Sequence, residues 1–305
     1  MKYEILVGNC LDTLKTLKDK SVNCCVTSPP YFGLRDYGND NQIGLESSPE
    51  EYVNNLVKVF REVKRVLKDD GTLWLNLGDS YASRQSARDR VSGYSDKQST
   101  NKGKLGGKQD IPLGLKQKDL IGIPWRVAFA LQQDGWYLRQ DIIWHKPNPM
   151  PESVRDRCTK SHEYIFLLSK NKKYYYDNEI IKEPAKDWGT RDRKNGKYHN
   201  EGTGLNPHTG LTKSYEKKNK RSVWSVTTKP YREAHFATYP VKLIKPCILA
   251  GCPIGGTVLD PFGGAGTTAL AANQNNRNAI LCELNESYVD IIKHRLSSLQ
   301  ISLNV

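Results

Sequence analysis

The feature that most constrains the fold is a glycine-rich stretch at residues 257–268, with the sequence TVLDPFGGAGTT. Its apolar start predicts a buried strand, its glycines predict a tight turn, and the residues that follow predict a helix. Such a turn lets a ligand approach the backbone closely, and the free N–H groups of the helix attract an anionic group. Glu283, about 20 residues further on and at the end of the next predicted strand, is placed to accept hydrogen bonds from ribose hydroxyls.

Three interpretations of this stretch are open on these residues alone. The first is a site for a nucleotide-containing ligand. The second is a nicotinamide-dependent oxidoreductase, because Gly264, Gly266 and Ala269 fit the G-x-G-x-x-G/A dinucleotide pattern. The D-P-F sequence before the glycines is not part of that pattern. We also expect that too little chain follows the stretch for a complete dinucleotide fold. The third interpretation is a tight turn without a ligand.

Strand and helix patterns alternate along the chain, which predicts an α/β fold with a mostly parallel sheet covered on both faces. An Asp-Gly pair at residues 70–71 predicts a turn before the third strand. The predicted strands are residues 3–7, 22–26, 72–77, 137–144, 164–169, 257–259 and 279–282. The predicted helices are residues 11–17, 50–67, 124–133, 241–250, 267–274 and 288–299.

A second distinctive segment, VNCCVTSPPY, occupies residues 22–31. Prolines cannot extend a sheet, so they predict a rigid turn just past the carboxyl end of the strand, where open α/β sheets bind ligands. The Ser28 hydroxyl and main-chain carbonyls of this turn would accept hydrogen bonds, and Tyr31 offers a flat face. These groups are suited to holding a nucleobase by its amino group while the base stacks on the ring. The alternative is a structural Pro-Pro turn with a packed tyrosine.

The positive charge of the chain is concentrated in two stretches. The net charge is +13, and residues 84–118 and 184–232 alone contribute +6 and +8. Charge gathered in this way indicates a surface for a polyanion such as DNA, with surface loops that merely aid solubility as the alternative. Trp188 and Trp224 lie within the second stretch, and we expect them to pack rather than to stack on bases.

Two motifs together resemble the signatures of the DNA amino-methyltransferases, namely VTSPPY at residues 26–31 and DPFGGAGTT at residues 260–268. Their order, with the catalytic motif first, is similar to that of the β group of this family. Residues 75–79, 144–170, 235–243 and 283–285 resemble further family motifs. The resemblance implies a Rossmann-like, seven-stranded methyltransferase fold in one domain over residues 1–305. Its motif order would be circularly permuted, and residues 84–118 and 184–232 would be basic insertions. The second insertion is the candidate target-recognition segment.

The resemblance also implies the site residues. The catalytic segment is Ser28, Pro29, Pro30 and Tyr31. The cofactor contacts follow the first strand, the 235–243 segment, the glycine loop and the acidic motif: Asn9, Cys10, Leu11, His235, Pro240, Asp260, Pro261, Phe262, Gly263, Gly264, Ala265, Gly266, Thr267, Thr268, Glu283, Leu284 and Asn285. Asn9 stands where the family usually has Asp, and Ala265 where it often has Ser. We expect both departures to change affinity without removing the loop.

The implied reaction is methyl transfer from S-adenosyl-L-methionine to an exocyclic amino group in double-stranded DNA. Ser28 preceded by Thr27 is the form typical of cytosine-N4 enzymes, so N4 of cytosine is favoured and N6 of adenine is the alternative. A site-specific modification role, with a cognate restriction endonuclease as a candidate partner, follows from the same resemblance. The oligomeric state is left open between monomer and homodimer.

The remaining composition argues against other classes of protein. The seven cysteines include no C-x-x-C pair, so we expect reduced, packed thiols and no metal site. No apolar run has the roughly 18 residues of a membrane helix, and no signal peptide is recognisable. We therefore expect a cytoplasmic protein that does not associate with membranes.

Overall fold

A computed structural model describes residues 1–34, 42–82, 111, 114–185, 216–228 and 238–302. The strands are β1 (Tyr3–Val7), β2 (Val22–Thr27), β3 (Leu67–Leu77), β4 (Tyr137–His145), β5 (His162–Ser169), β6 (Glu183–Pro184), β7 (Lys217–Lys218), β8 (Val223–Ser225), β9 (Thr257–Asp260) and β10 (Asn278–Glu283). The helices are α1 (Cys10–Lys15), α2 (Pro49–Val66), α3 (Ile123–Gln133), α4 (Val241–Gly251), α5 (Thr267–Gln274) and α6 (Glu286–Ser302).

The main sheet has the strand order β1-β10-β9-β2-β3-β5-β4-β8. Every pair of neighbours is parallel except the two pairs made by β5, which runs in the opposite direction. The prediction of a mostly parallel α/β sheet is confirmed. Strands β6 and β7 form a separate two-stranded ribbon.

Within the described residues the main sheet has eight strands, one more than the predicted seven. The additional strand, β8, lies inside the second basic stretch and pairs in parallel with β4. Its three residues are too few to show a periodicity in the sequence. Trp224 is 6% exposed in the core, and the Trp144 indole donates to the Val226 carbonyl at 2.8 Å. The packing role expected for Trp224 is confirmed, while Trp188 lies outside the described residues.

The Asp70-Gly71 pair does not form the turn predicted before the third strand, because β3 runs through it. The register instead shifts, so that Val22 pairs with Leu67 while Cys24 pairs with Thr72. The extra residues of β3 form a bulge. A Cβ on Gly71 would lie 3.0 Å from the Leu67 side chain and from the Lys68 carbonyl. The glycine thus serves a tight bulge within the strand.

Helices cover both faces of the sheet and create two cores. Helices α1, α2 and α3 pack on one face, and α4, α5 and α6 pack on the other. Cys24 and Cys25 point to opposite faces and are both fully buried, which agrees with a packing role. Burial raises the pKa of both thiols well above the ordinary cysteine value, so they stay protonated.

Helix α2 shows how local signals fix these elements. The Ser48 hydroxyl accepts from the Glu51 amide at 3.1 Å, and Pro49 occupies the first turn, where its missing N–H is not needed. None of the helices in the described part of the chain is long and apolar enough to span a membrane. The same residues contain no cluster of three or more potential metal ligands.

Candidate active site

The candidate site lies along one edge of the main sheet. The carboxyl ends of β1, β10, β9, β2, β3, β4 and β8 share this edge because these strands run in the same direction. The amino end of β5 lies there too, since β5 is antiparallel to both of its neighbours. The glycine loop follows β9, and the Ser-Pro-Pro-Tyr segment follows β2, its neighbour. The sheet therefore brings the two predicted motifs together.

A buried carboxylate joins the two motifs directly. The Thr27 hydroxyl, at the end of β2, donates to Asp260 at 2.6 Å, although the two residues are 233 positions apart. Asp260 also accepts from the hydroxyls of Tyr239 and Thr268, at 2.9 and 2.5 Å, and from the Phe262 amide at 3.1 Å. Burial raises the pKa of Asp260 to about 6, even though the four hydrogen-bond donors act to lower it. Asp260 therefore fixes the loop to the end of β2, where the Ser-Pro-Pro-Tyr segment begins.

The glycine loop is built so that its outer surface stays open. Gly264 and Gly266 have φ values of +49° and +73°, which favour glycine. A Cβ on Gly264 would meet nothing closer than 3.9 Å, whereas one on Gly266 would lie 3.0 Å from Ile292. Gly263 donates to the Cys282 carbonyl at 2.8 Å, so the loop lies directly against β10. Of these three glycines, Gly264 is therefore the one beside which a ligand has room.

Glu283 lies at the end of β10 against this loop. Its two carboxylate oxygens accept from the Gly264 amide at 2.6 Å and from the Asn285 amide at 2.9 Å. Burial raises the pKa of Glu283 above its ordinary value, and the two amides act in the opposite direction. Each oxygen keeps a lone pair for a further donor. Leu284 is half-buried, and Asn285 accepts from the Ser287 amide at 3.0 Å at the start of α6.

The predicted residues after β1 lie beside Glu283, because the Gly8 amide donates to the Glu283 carbonyl at 2.9 Å. The Asn9 side chain accepts from the Leu11 amide at 2.9 Å and so caps α1. Cys10 is 7% exposed, and burial raises the pKa of its thiol to about 12. Leu11 is half-buried. Of this group, Asn9 and Leu11 retain exposed surface at the edge.

Several predicted cofactor residues turn their side chains inward. Thr267 and Thr268 are 4% and 0% exposed, and Thr268 binds Asp260 and Tyr239. Pro261 and Ala265 are also buried, while Phe262 is half-buried against the core. Pro240 precedes α4 as its N-cap. The structure gives these residues a role in shaping the loop, and their contact with a cofactor stays a prediction. His235 lies outside the described residues.

The Ser-Pro-Pro-Tyr segment presents fewer free acceptors than its sequence predicts. The Tyr52 hydroxyl donates to the Pro30 carbonyl at 2.8 Å, and the Leu34 amide donates to the Tyr31 carbonyl at 3.3 Å. Among the described residues, no hydrogen bond reaches the Pro29 carbonyl. Ser28 is half-buried. The acceptors with lone pairs left for a ligand therefore include the Ser28 and Pro29 carbonyls and the Ser28 hydroxyl, which lies beside the Tyr31 phenol.

Tyr31 is held by a polar cluster that sequence reasoning did not single out. Its hydroxyl donates to Glu163 at 2.6 Å, and Glu163 also accepts from the Asn76 amide at 3.2 Å and pairs with Lys146. A Cβ on Gly78 would lie 2.5 Å from the Tyr31 ring, so only glycine permits this ring position. Burial and the charge of Glu163 raise the pKa of the Tyr31 phenol well above its usual value. The phenol therefore stays protonated and acts as the donor.

These contacts predict how substitutions at Tyr31 will differ. Tyr31→Ala is expected to lower kcat/KM for methyl transfer about 100-fold, because stacking of a base on an aromatic ring contributes roughly 1–3 kcal/mol. Tyr31→Phe keeps the ring and is expected to lower it about tenfold or less. When Tyr31→Phe is combined with Glu163→Gln, the loss of transition-state stabilisation should be smaller than the sum of the two single losses. Both changes act on the same hydrogen bond, from Tyr31 to Glu163.

The measurement is transfer of a labelled methyl group to DNA. Tyr137→Ala serves as the control, since Tyr137 is 45% exposed and begins β4 at the opposite edge of the sheet. Undiminished transfer by Tyr31→Ala would contradict the placement of the base on this ring.

Fold and site together define an α/β methyltransferase. The chain belongs to the DNA methylase family, whose sequence model matches residues 22–294. The Type II methyltransferase M.SmaI of Serratia marcescens is 50% identical over 294 residues, which cover 96% of this chain and 90% of that protein. M.Cfr9I of Citrobacter freundii, another Type II methyltransferase, is 50% identical over 290 residues, covering 95% and 86%. The resemblance drawn from the motifs is confirmed, and the oxidoreductase interpretation is wrong.

Solved structures support the same fold. The PvuII DNA methyltransferase, described as cytosine-N4-specific, has a TM-score of 0.65 at 18% identity and covers 97% of this chain and 86% of its own. A Thermus thermophilus protein described as a DNA modification methylase, solved with S-adenosyl-L-methionine, has a TM-score of 0.58 at 22% identity. The match covers 98% of this chain and 95% of that one.

Proposed function

We propose that this DNA methylase transfers a methyl group from S-adenosyl-L-methionine to the N4 amino group of cytosine in double-stranded DNA. The observation that carries the proposal is the hydrogen bond from Thr27 to Asp260, which ties the Ser-Pro-Pro-Tyr segment to the glycine loop at one sheet edge. A methyl donor on the loop and a base on the segment would then be adjacent. Holding the two reactants in this way supplies much of the rate of such a reaction.

The base side of the site acts through its acceptors. The amino lone pair of a nucleobase is delocalised into the ring and is a weak nucleophile. The Ser28 hydroxyl and the Pro29 carbonyl would accept the two amino hydrogens and favour a pyramidal nitrogen whose lone pair is free. Tyr31, fixed by Glu163, would stack on the extruded base. Cys24 and Cys25 take no part, since both thiols are buried and protonated.

The cofactor side fits the proposed methyl donor. The surface of the loop is open above Gly264, and the Glu283 carboxylate has lone pairs for ribose hydroxyls. S-adenosyl-L-methionine supplies a methyl group made electrophilic by a positively charged sulfur. Asn9 and Leu11 line the same edge beside Glu283. The chain's own task on this side is to bind and orient the donor.

Glu283→Gln is expected to weaken S-adenosyl-L-methionine binding about tenfold, because the amide nitrogen cannot accept a hydrogen bond from a ribose hydroxyl. Isothermal titration calorimetry of the free protein with the cofactor measures the change. Glu286→Gln, three residues away on an exposed position of α6, is the control and should bind as the unaltered protein does. Equal affinity in the two variants would contradict the assignment of Glu283.

The choice of cytosine N4 over adenine N6 rests on the Thr27-Ser28 pair, which is the form typical of cytosine-N4 enzymes. The deciding experiment incubates the protein with methyl-labelled S-adenosyl-L-methionine and plasmid DNA, followed by mass spectrometry of the nucleosides. N4-methylcytosine is the expected product. N6-methyladenine would overturn the choice of base while leaving the reaction class intact, and the absence of any methylated nucleoside would overturn the proposal.

The biological setting proposed is site-specific DNA modification in the cytoplasm, paired with a restriction endonuclease of the same specificity. The Type II methyltransferase relatives support this role. The basic stretches at 84–118 and 184–232 are proposed to contact phosphates and to select the target sequence. Binding through phosphates predicts an affinity that falls steeply as the salt concentration rises.

A further inference from the structure

The loop between β4 and β5, residues 146–161, carries an exposed methionine at the edge of the sheet where the candidate site lies. We propose that Met150 enters the DNA duplex at the position that the target base leaves. This inference rests on the proposed function, because it assumes that the base is extruded into the site beside Tyr31. Met150 would then be a DNA-contacting residue that stabilises the extruded state.

The loop begins and ends at the residues that hold Tyr31. Lys146, its first residue, pairs with Glu163, which accepts the Tyr31 hydroxyl at 2.6 Å. The Lys146 amide donates to the Ser161 carbonyl at 2.7 Å and closes the base of the loop. Both ends of the loop therefore lie beside the group that holds Tyr31.

The loop is held in a defined shape on both sides of Met150. Prolines stand at positions 147, 149 and 151, which restricts the backbone around Met150. Asn148 accepts from the Thr228 amide at 3.0 Å and donates to the Thr228 carbonyl at 3.3 Å. Glu152 binds Arg157 at 2.5 Å, and the Arg157 guanidinium lies 3.9 Å from the centre of the Tyr81 ring. The backbone that carries Met150 therefore loses little further freedom when the loop binds.

Met150 is 84% exposed, the highest value among the large hydrophobic side chains of the described residues. A base that leaves the stack opens an apolar gap between its neighbours, and apolar side chains inserted into DNA fill such gaps. Methionine is unbranched and adapts to irregular spaces. Arg155 is exposed on the same loop, so a positive charge is available for a flanking phosphate.

The test compares two duplexes that contain the sequence methylated by the unaltered protein. In one, the target cytosine is paired with guanine, and in the other it faces an abasic position, where extrusion costs less. Met150→Ala is expected to lower kcat/KM about tenfold on the paired duplex and less than about twofold on the abasic one. Met150→Leu, which keeps an apolar side chain, should restore most of the activity.

Ile254→Ala is the matched control. Ile254 is 73% exposed, but it lies between α4 and β9, at the opposite edge of the sheet, and its loss should change neither rate. Equal losses on both duplexes, or no loss on the paired duplex, would overturn the role of Met150 while leaving the proposed function standing. If the unaltered protein methylated cytosine in no DNA, no such sequence could be chosen, and the proposed function would be overturned, and this inference with it.

Discussion

Ser28→Ala is expected to lower kcat for methyl transfer about 100-fold, because it removes the side-chain acceptor proposed to hold the target amino group. The other acceptor, the Pro29 carbonyl, is part of the backbone and survives the substitution. The Pro30 carbonyl already accepts from the Tyr52 hydroxyl at 2.8 Å, so only one of its two lone pairs is left for a ligand. Single-turnover transfer of a labelled methyl group, with cofactor and DNA both saturating, measures the chemical step directly.

The same strand provides a matched control. Ser21 immediately precedes β2, whereas Ser28 follows it, so Ser21→Ala removes a hydroxyl at the opposite edge of the sheet. This variant should react at the unaltered rate. The Ser28 variant should also keep its thermal stability, because Ser28 is only half-buried. A Ser28→Ala protein with full single-turnover activity would remove Ser28 from the site.

Asp260→Ala is expected to reduce the free energy of unfolding by about 3 kcal/mol, since it leaves buried donors without an acceptor. The hydroxyls of Thr27 and Thr268 are fully buried, and both donate to Asp260. Loss of the link between loop and catalytic segment should also lower kcat/KM about 100-fold. Denaturant unfolding and methyl transfer measure the two effects. Asp290→Ala, on an exposed position of α6, should change neither.

The same carboxylate predicts a dependence of stability on pH. Because the pKa of Asp260 is raised from 3.8 to about 6 in the folded chain, the folded state binds a proton more tightly than the unfolded state. The contribution of this group to stability is therefore greatest at acidic pH and falls as the pH rises from about 4 through about 6. The stability of the unaltered protein minus that of Asp260→Asn should fall by roughly 1–2 kcal/mol between pH 5 and pH 7.5. A difference that does not change with pH would contradict the raised pKa.

The local elements of the site could be predicted from the sequence, because each depends on a few neighbouring residues. A strand, a glycine turn and a helix follow from residues 257–268, and the structure places β9, the loop and α5 there. Proline chemistry likewise marks the end of β2. The motif resemblance then gave the family, which the comparisons confirm. Strand β8 was not predicted because three residues show no periodicity. The bulge in β3 was not predicted because a glycine in a bulge gives the same sequence signal as a glycine in a turn.

The contacts that organise the site join residues far apart in sequence. Glu163 lies 132 positions from Tyr31, and its neighbour Lys146 begins the loop that carries Met150. A glutamate near the start of a strand pattern gives no signal of such a partner. Which strand lies beside which is decided by how the helices cross between them and by the packing of both cores.

By itself the sequence determined the class of fold, the family and the two motifs proposed to bind the reactants, because these depend on local backbone chemistry. Only the tertiary structure decided that Thr27 donates to Asp260, that Glu163 fixes Tyr31, and that the Pro30 carbonyl accepts from Tyr52. The physical reason is that a parallel sheet aligns the ends of strands that are distant along the chain. The partners of a buried polar group are therefore set by strand order and register.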